Sequence, residues 1–84
     1  MSYKIELTKA AGRELKKLER GIRDRLVGAI DNLGDNPRPT GVTKLSGEEN
    51  LWRIRVGNYR VVYSILDDRL IVIVIRVRHR KDAY

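Results

Sequence analysis

Only two residues, Gly57 and Asn58, separate the alternating runs Leu51 to Val56 and Tyr59 to Leu66. Both tolerate positive φ, so the sequence predicts a two-residue hairpin loop, and such a loop leaves no freedom in how the two strands pair. Val56 then faces Tyr59, Arg55 faces Arg60, Ile54 faces Val61, Arg53 faces Val62 and Trp52 faces Tyr63, and directly paired residues share a side of the sheet. One side reads Trp52, Ile54, Val61, Tyr63 and is the expected core, with Trp52 and Tyr63 as core aromatics. The other reads Arg53, Arg55, Arg60, Val62. Arg55 opposite Arg60 sets two like charges side by side, a local cost that points to an anion or an acidic partner.

Downstream, Leu70 to Arg78 is a third strand, and the turn Asp67-Asp68-Arg69 decides which side its arginines occupy. A three-residue loop pairing Leu66 with Leu70 puts Ile71, Ile73, Ile75 and Val77 in the core and sends Arg76, Arg78 and Arg80 to the side of Arg60. A two-residue loop buries three arginines, so desolvation favours the former, although a bulge would achieve the same result. The expected outcome is one concave surface holding Arg53, Arg55, Arg60, Arg76, Arg78 and Arg80. Val62, Ser64, Val72 and Val74 share it as an apolar stripe for a partner chain to cover. Alternating arginines also fit a plain solvent face.

Upstream, Tyr3 to Leu7 alternates as a strand and Thr8 is an N-cap. Ala11, Leu15, Leu18 and Ile22 make one helical stripe, continued by Leu26, Ala29, Ile30 and Leu33, with Gly21 as the expected joint of an αα-hairpin. The basic face carrying Lys9, Arg13, Lys16, Lys17 and Arg20 reads as solvated. Gly34 to Gly41 is dense in turn formers, and a short strand follows at Thr43 to Leu45. The order is β-α-α-β-β-β-β. The fold class is α+β: an N-terminal strand and an αα-hairpin packed on one face of a four-stranded, mainly antiparallel sheet. The 84 residues allow one domain, 1–84.

The formal charge is +7, and residues 51–84 hold eight Lys/Arg against three Asp/Glu. Seven of those eight are Arg, whose bidentate fork suits phosphate or carboxylate. Such an excess fits nucleic acid, an anionic membrane or an acidic protein. The apolar run Leu70 to Ile75 is too short to cross a bilayer, and the first residues carry no signal peptide, so a cytoplasmic protein without membrane attachment is expected. Absence of cysteine excludes disulfides, thiolate metal sites and cysteine nucleophiles, and His79 alone makes no histidine cluster. The acidic pairs Glu48-Glu49 and Asp67-Asp68 are adjacent in turns rather than convergent, so neither a metal site nor a cofactor is expected. RNA can be cut without either, because its own 2′-OH attacks the neighbouring phosphate when aligned and when the added charge is stabilised. Arginines can supply that stabilisation, and a tyrosine, or His79, the proton transfer.

The run Leu51-Trp52-Arg53-Ile54-Arg55-Val56-Gly57-Asn58-Tyr59-Arg60-Val61-Val62-Tyr63 followed by Arg78-His79-Arg80-Lys81-Asp82-Ala83-Tyr84 resembles the RelE/ParE toxin superfamily. The resemblance spans nearly the whole chain, and its terminal segment is typical of the ribonuclease branch. It implies an endoribonuclease toxin of a type II toxin–antitoxin system that cleaves mRNA in the A site of the 70S ribosome, held inactive in a hetero-oligomer with a cognate antitoxin. By that resemblance Arg60 stabilises the scissile phosphate, Arg80 acts at the leaving oxygen, and Tyr84 is the base or orienting group. Arg53, Arg55, Arg76, Arg78, His79 and Lys81 would bind RNA. Two alternatives are a ParE-like inhibitor of DNA gyrase and an RNA-binding module without catalysis.

Overall fold

In the computed structural model, residues 2–45 and 50–82 are described, Asp82 by its backbone. Glu48-Glu49 and Tyr84 lie outside them. Strand β1 (Lys4–Leu7) is followed by helices α1 (Lys9–Lys16) and α2 (Arg20–Asp35), then by strands β2 (Thr43–Lys44), β3 (Leu51–Val56), β4 (Tyr59–Leu66) and β5 (Ile71–His79), and by a 3₁₀ turn at Arg80–Asp82. The sheet has five strands rather than the expected four, in the order β1-β5-β4-β3-β2. β1 supplies the difference by pairing parallel to β5, which places the first and last strands side by side.

The β3–β4 hairpin has the pairing the loop dictates, from Leu51 with Ser64 to Val56 with Tyr59. Gly57 alone in the loop takes a positive φ, 60°, the pattern of a II′ turn with glycine at its first central position. The helical joint falls at Lys17 to Glu19 rather than at Gly21, which lies in the first turn of α2. An absent side chain there breaks nothing, because the first-turn N–H groups lack intrahelical partners anyway. Gly34 is needed where α2 meets β1: a β-carbon would stand 3.0 Å from the Tyr3 carbonyl, whose residue donates its N–H to the Gly34 carbonyl at 2.6 Å.

The turn into β5 differs from the expectation. Leu66 pairs with Ile71 across the four-residue loop Asp67-Asp68-Arg69-Leu70, with Leu70 in the left-handed region at φ 54°. A bulge then absorbs Ile75, so that Tyr63 pairs with Val74 and Val62 with Arg76. Val72, Val74 and Val77 therefore enter the core, while Ile71 and Ile73 lie with Ser64 on the open side. Both solutions keep the arginines out of the core, and in a nearly continuous apolar strand the pattern does not separate them. Ala11, Leu15, Leu26, Ile30 and Leu33 from the helices meet Ile54, Val61, Tyr63, Ile65, Val72, Val74 and Val77 in one core.

Candidate nucleic-acid interface

Three strands bring three arginines into line. Arg55 on β3 is the direct partner of Arg60 on β4, and Arg60 is the direct partner of Arg78 on β5. A second row runs from Arg53 through Val62 to Arg76. Parity along each strand puts both rows on the side away from the helices. Arg76 and Arg78 reach it only because the bulge at Ile75 reverses the alternation. Cations directly opposite one another are unfavourable in a sheet, and here the mismatch repeats across three strands.

Glu14, which the sequence reading passed over, closes one end of this surface. α1 runs along β5 beyond the end of β1, and the Glu14 carboxylate accepts from the Val77 backbone N–H at 2.8 Å. Its other oxygen takes Arg76 Nη2 at 3.1 Å and Arg78 Nε at 3.2 Å. Thr8 fixes where α1 starts: its hydroxyl accepts from Ala11 N–H at 3.1 Å and donates to the Ile75 carbonyl at 2.7 Å, at the bulge itself. A partner sixty-odd residues away leaves no local signal, and Glu14 within the helical pattern reads as one more solvated charge.

The remaining site residues divide. Arg53 is half-buried and Arg55 exposed, and both line a groove of about 520 Å³ beside the part of β3 that β2 leaves unpaired. Arg80 does not continue the strand as expected: it begins the 3₁₀ turn, exposed, with its N–H donated to the Asn58 carbonyl of the hairpin loop at 2.7 Å. Lys81 follows it, exposed, its N–H donated to His79 Nδ1 at 3.1 Å. His79 pairs with Tyr59 and so sits on the helix side, across the sheet from Arg60, in an edge-to-face contact with the Tyr59 ring at 5.1 Å. The apolar stripe on the arginine side consists of Val62, Ile71 and Ile73, half-exposed, in place of Val72 and Val74, which are fully buried.

A second cluster lies around the loop after α2. Arg38 grips Asp67 with both terminal nitrogens, at 3.3 and 2.9 Å, Tyr3 donates its hydroxyl to the same carboxylate at 2.6 Å, and the Arg38 guanidinium covers the Trp52 ring at 5.0 Å. Arg38 and Tyr3 together hold the Asp67 carboxyl below its ordinary range. This is a clasp between the loop and the β4–β5 turn, with its cation spent on a carboxylate. Among the described residues no three His, Asp or Glu gather as a metal site requires, and no helix is long and apolar enough to cross a membrane.

Comparison with known proteins agrees with this fold. Residues 5–84 match the family of the ParE toxin of the type II toxin–antitoxin system parDE. The chain is 30% identical to the mRNA interferase toxin RelE of Escherichia coli, over all of this chain and 92% of that one. It is 33% identical to toxin RelG of Mycobacterium tuberculosis, over all of this chain and 98% of that one. Among solved structures, the archaeal RelE–RelB complex from Pyrococcus horikoshii superposes with a TM-score of 0.85 at 28% identity, covering 99% of this chain and all of that chain. The helix pair on one side of a β1-β5-β4-β3-β2 sheet, the arginines on the other and these full-length matches make the chain a member of the RelE/ParE toxin superfamily, in its RelE-type branch.

Proposed function

We propose that residues 1–84 act as one toxin domain of a type II toxin–antitoxin system, an endoribonuclease that cuts mRNA in the ribosomal A site. The observation that carries this reading is the cross-strand row Arg55, Arg60 and Arg78, a costly concentration of cations that suits a phosphodiester backbone. The reaction needs no metal. The RNA 2′-oxygen attacks the adjacent phosphorus, the bond from phosphorus to the 5′-oxygen breaks, and a 2′,3′-cyclic phosphate remains. The proton leaving the 2′-OH goes to a base and another arrives at the 5′-oxygen. Arg60, central in the row, stabilises the charge on the phosphate, and Arg80, beside the hairpin loop, serves the leaving oxygen. Tyr84 is the proposed base or orienting group. Arg53, Arg55 and Lys81 hold the flanking backbone. An antitoxin is the expected partner in the cytoplasm, as the named RelE–RelB complex suggests. Seated in the groove beside β3 it would cover Arg53 and Arg55.

The test is purified protein added to 70S ribosomes carrying a defined mRNA with an empty A site, with cuts mapped by primer extension. Codon-specific cleavage is expected, and Arg60→Ala should reduce its rate by about 10²–10³-fold, the usual cost of removing one preorganised charge-stabilising donor. Absence of cleavage together with inhibition of DNA gyrase would replace this reading with the ParE-like one.

A further inference from the structure

Glu14 is placed to do more than complete an ion pair. Its carboxylate is held from below by the Val77 N–H and touches Arg76 and Arg78 through one oxygen, much as a phosphate oxygen would. Its side chain is 23% exposed, against 41% and 39% for the two arginines, so the acid is the most enclosed member of the group. Three separate features hold it there: the Thr8 cap starts α1, the bulge turns Arg76 and Arg78 to this side, and the β5 edge beyond β1 leaves the Val77 N–H for it to accept.

We propose that Glu14 is a positioning residue of the arginine surface: a built-in anion that ties Arg76 and Arg78 to α1 and ends the phosphate track at Arg60. This rests on the reading of that surface as an RNA site. A phosphate arriving from solution competes at Arg76 and Arg78 with a carboxylate that is tethered, backbone-anchored and always present. Among the described residues it meets no such carboxylate beside Arg55, whose direct partner is another arginine. The number of phosphates the surface neutralises is therefore set by Glu14 as much as by the arginines, and RNA is held in register on Arg55 and Arg60 instead of sliding toward α1.

Counterion release measures that number directly. A short fluorescent oligouridylate, too small to require the ribosome, is titrated with the full chain at several salt concentrations. For Glu14→Gln, which keeps an oxygen for the Val77 N–H, the slope of log affinity against log salt should steepen by about 0.7 for each arginine released, and low-salt affinity should rise about three- to tenfold. Glu14→Asp, which keeps the charge, should stay near the wild-type slope. In the ribosome assay the Gln variant should show a lower KM without a higher kcat, a split that a merely structural residue would not produce. An unchanged slope, or weaker binding in Glu14→Gln, overturns the proposal. Should that variant not fold, Arg55→Gln and Arg78→Gln carry the test: the first should flatten the slope by about 0.7 and the second by clearly less, and the reverse order overturns it. Wild-type binding without cleavage would sink the interferase reading and leave this one standing, whereas cleavage with an unaltered Glu14→Gln slope would do the opposite.

Discussion

Arg60 has Arg55 directly beside it on one neighbouring strand and Arg78 on the other, and Arg78 is paired with the Glu14 carboxylate. Sheet pairs of like charge cost a few tenths to about 1 kcal/mol, so the surface is held at some expense of stability. Arg55→Gln should therefore raise stability by about 0.2–1 kcal/mol at low ionic strength, and the gain should shrink as salt screens the repulsion. Thermal unfolding at low and at high salt checks this, and a loss of stability would show that the Arg55 stem packs usefully. At this scale the sequence was legible wherever a residue's partner was set by a short loop. Arg55 against Arg60 follows from Gly57-Asn58 alone, whereas Glu14 against Arg76 and Arg78 depends on how a helix lies along a strand sixty residues later.

Strand β5 shows how an element can be identified correctly and still be placed on the wrong parity. Its composition identifies a buried strand, but Ile and Val at every position from 71 to 75 make its two sides nearly equivalent in apolar content. Thr8 takes part in the resolution, since its hydroxyl caps α1 and donates to the carbonyl of Ile75, the residue that the bulge leaves without a cross-strand pair. Thr8→Ala loses both bonds and should cost about 1–2 kcal/mol, with Thr8→Ser recovering most of it. Denaturant unfolding reads this directly. If Ala and Ser behave alike, the hydroxyl is not what joins helix and bulge. The N-cap itself was readable from Thr8 preceding an apolar stripe, while the break between the helices was not, because Gly21 is a breaker only where a helix interior would need it.

At the scale of the molecule, the loop after α2 is fastened to the sheet at two points that respond to opposite ends of the pH range. Tyr63, buried in the core, donates its hydroxyl to the Pro37 carbonyl at 2.7 Å, and burial pushes that hydroxyl up to about 12. The folded value exceeds the ordinary 10.0, so this contribution is intact below pH 10 and is lost as pH rises toward 12. Asp67 behaves conversely: held below its ordinary 3.8 by Arg38 and then Tyr3, it contributes above that value and fades as pH falls through the lower folded one. Tyr63→Phe should lose about 1–2 kcal/mol at neutral pH, leaving the Pro37 carbonyl without its donor, and should flatten the alkaline decline. Asp67→Asn should flatten the acid one. Stability measured across pH for the two variants checks both signs, and an alkaline decline unchanged in Tyr63→Phe would assign it to other groups.

The sequence by itself determined the order of elements, the register of the β3–β4 hairpin, the split of that hairpin into an apolar and an arginine side, and the resemblance that named the family. Each element, the register and the split rest on residues within about a dozen positions of one another, where backbone sterics and alternation leave few solutions, and the resemblance adds up such local runs along the chain. The tertiary structure alone decided that β1 joins the sheet beside β5, that Ile75 bulges, that His79 turns toward Tyr59 away from the arginines, and that Glu14 meets Arg76 and Arg78. Those outcomes depend on packing volume beneath the helices and on which unpaired edge groups lie within reach of which side chains, quantities that arise only once distant segments are brought together.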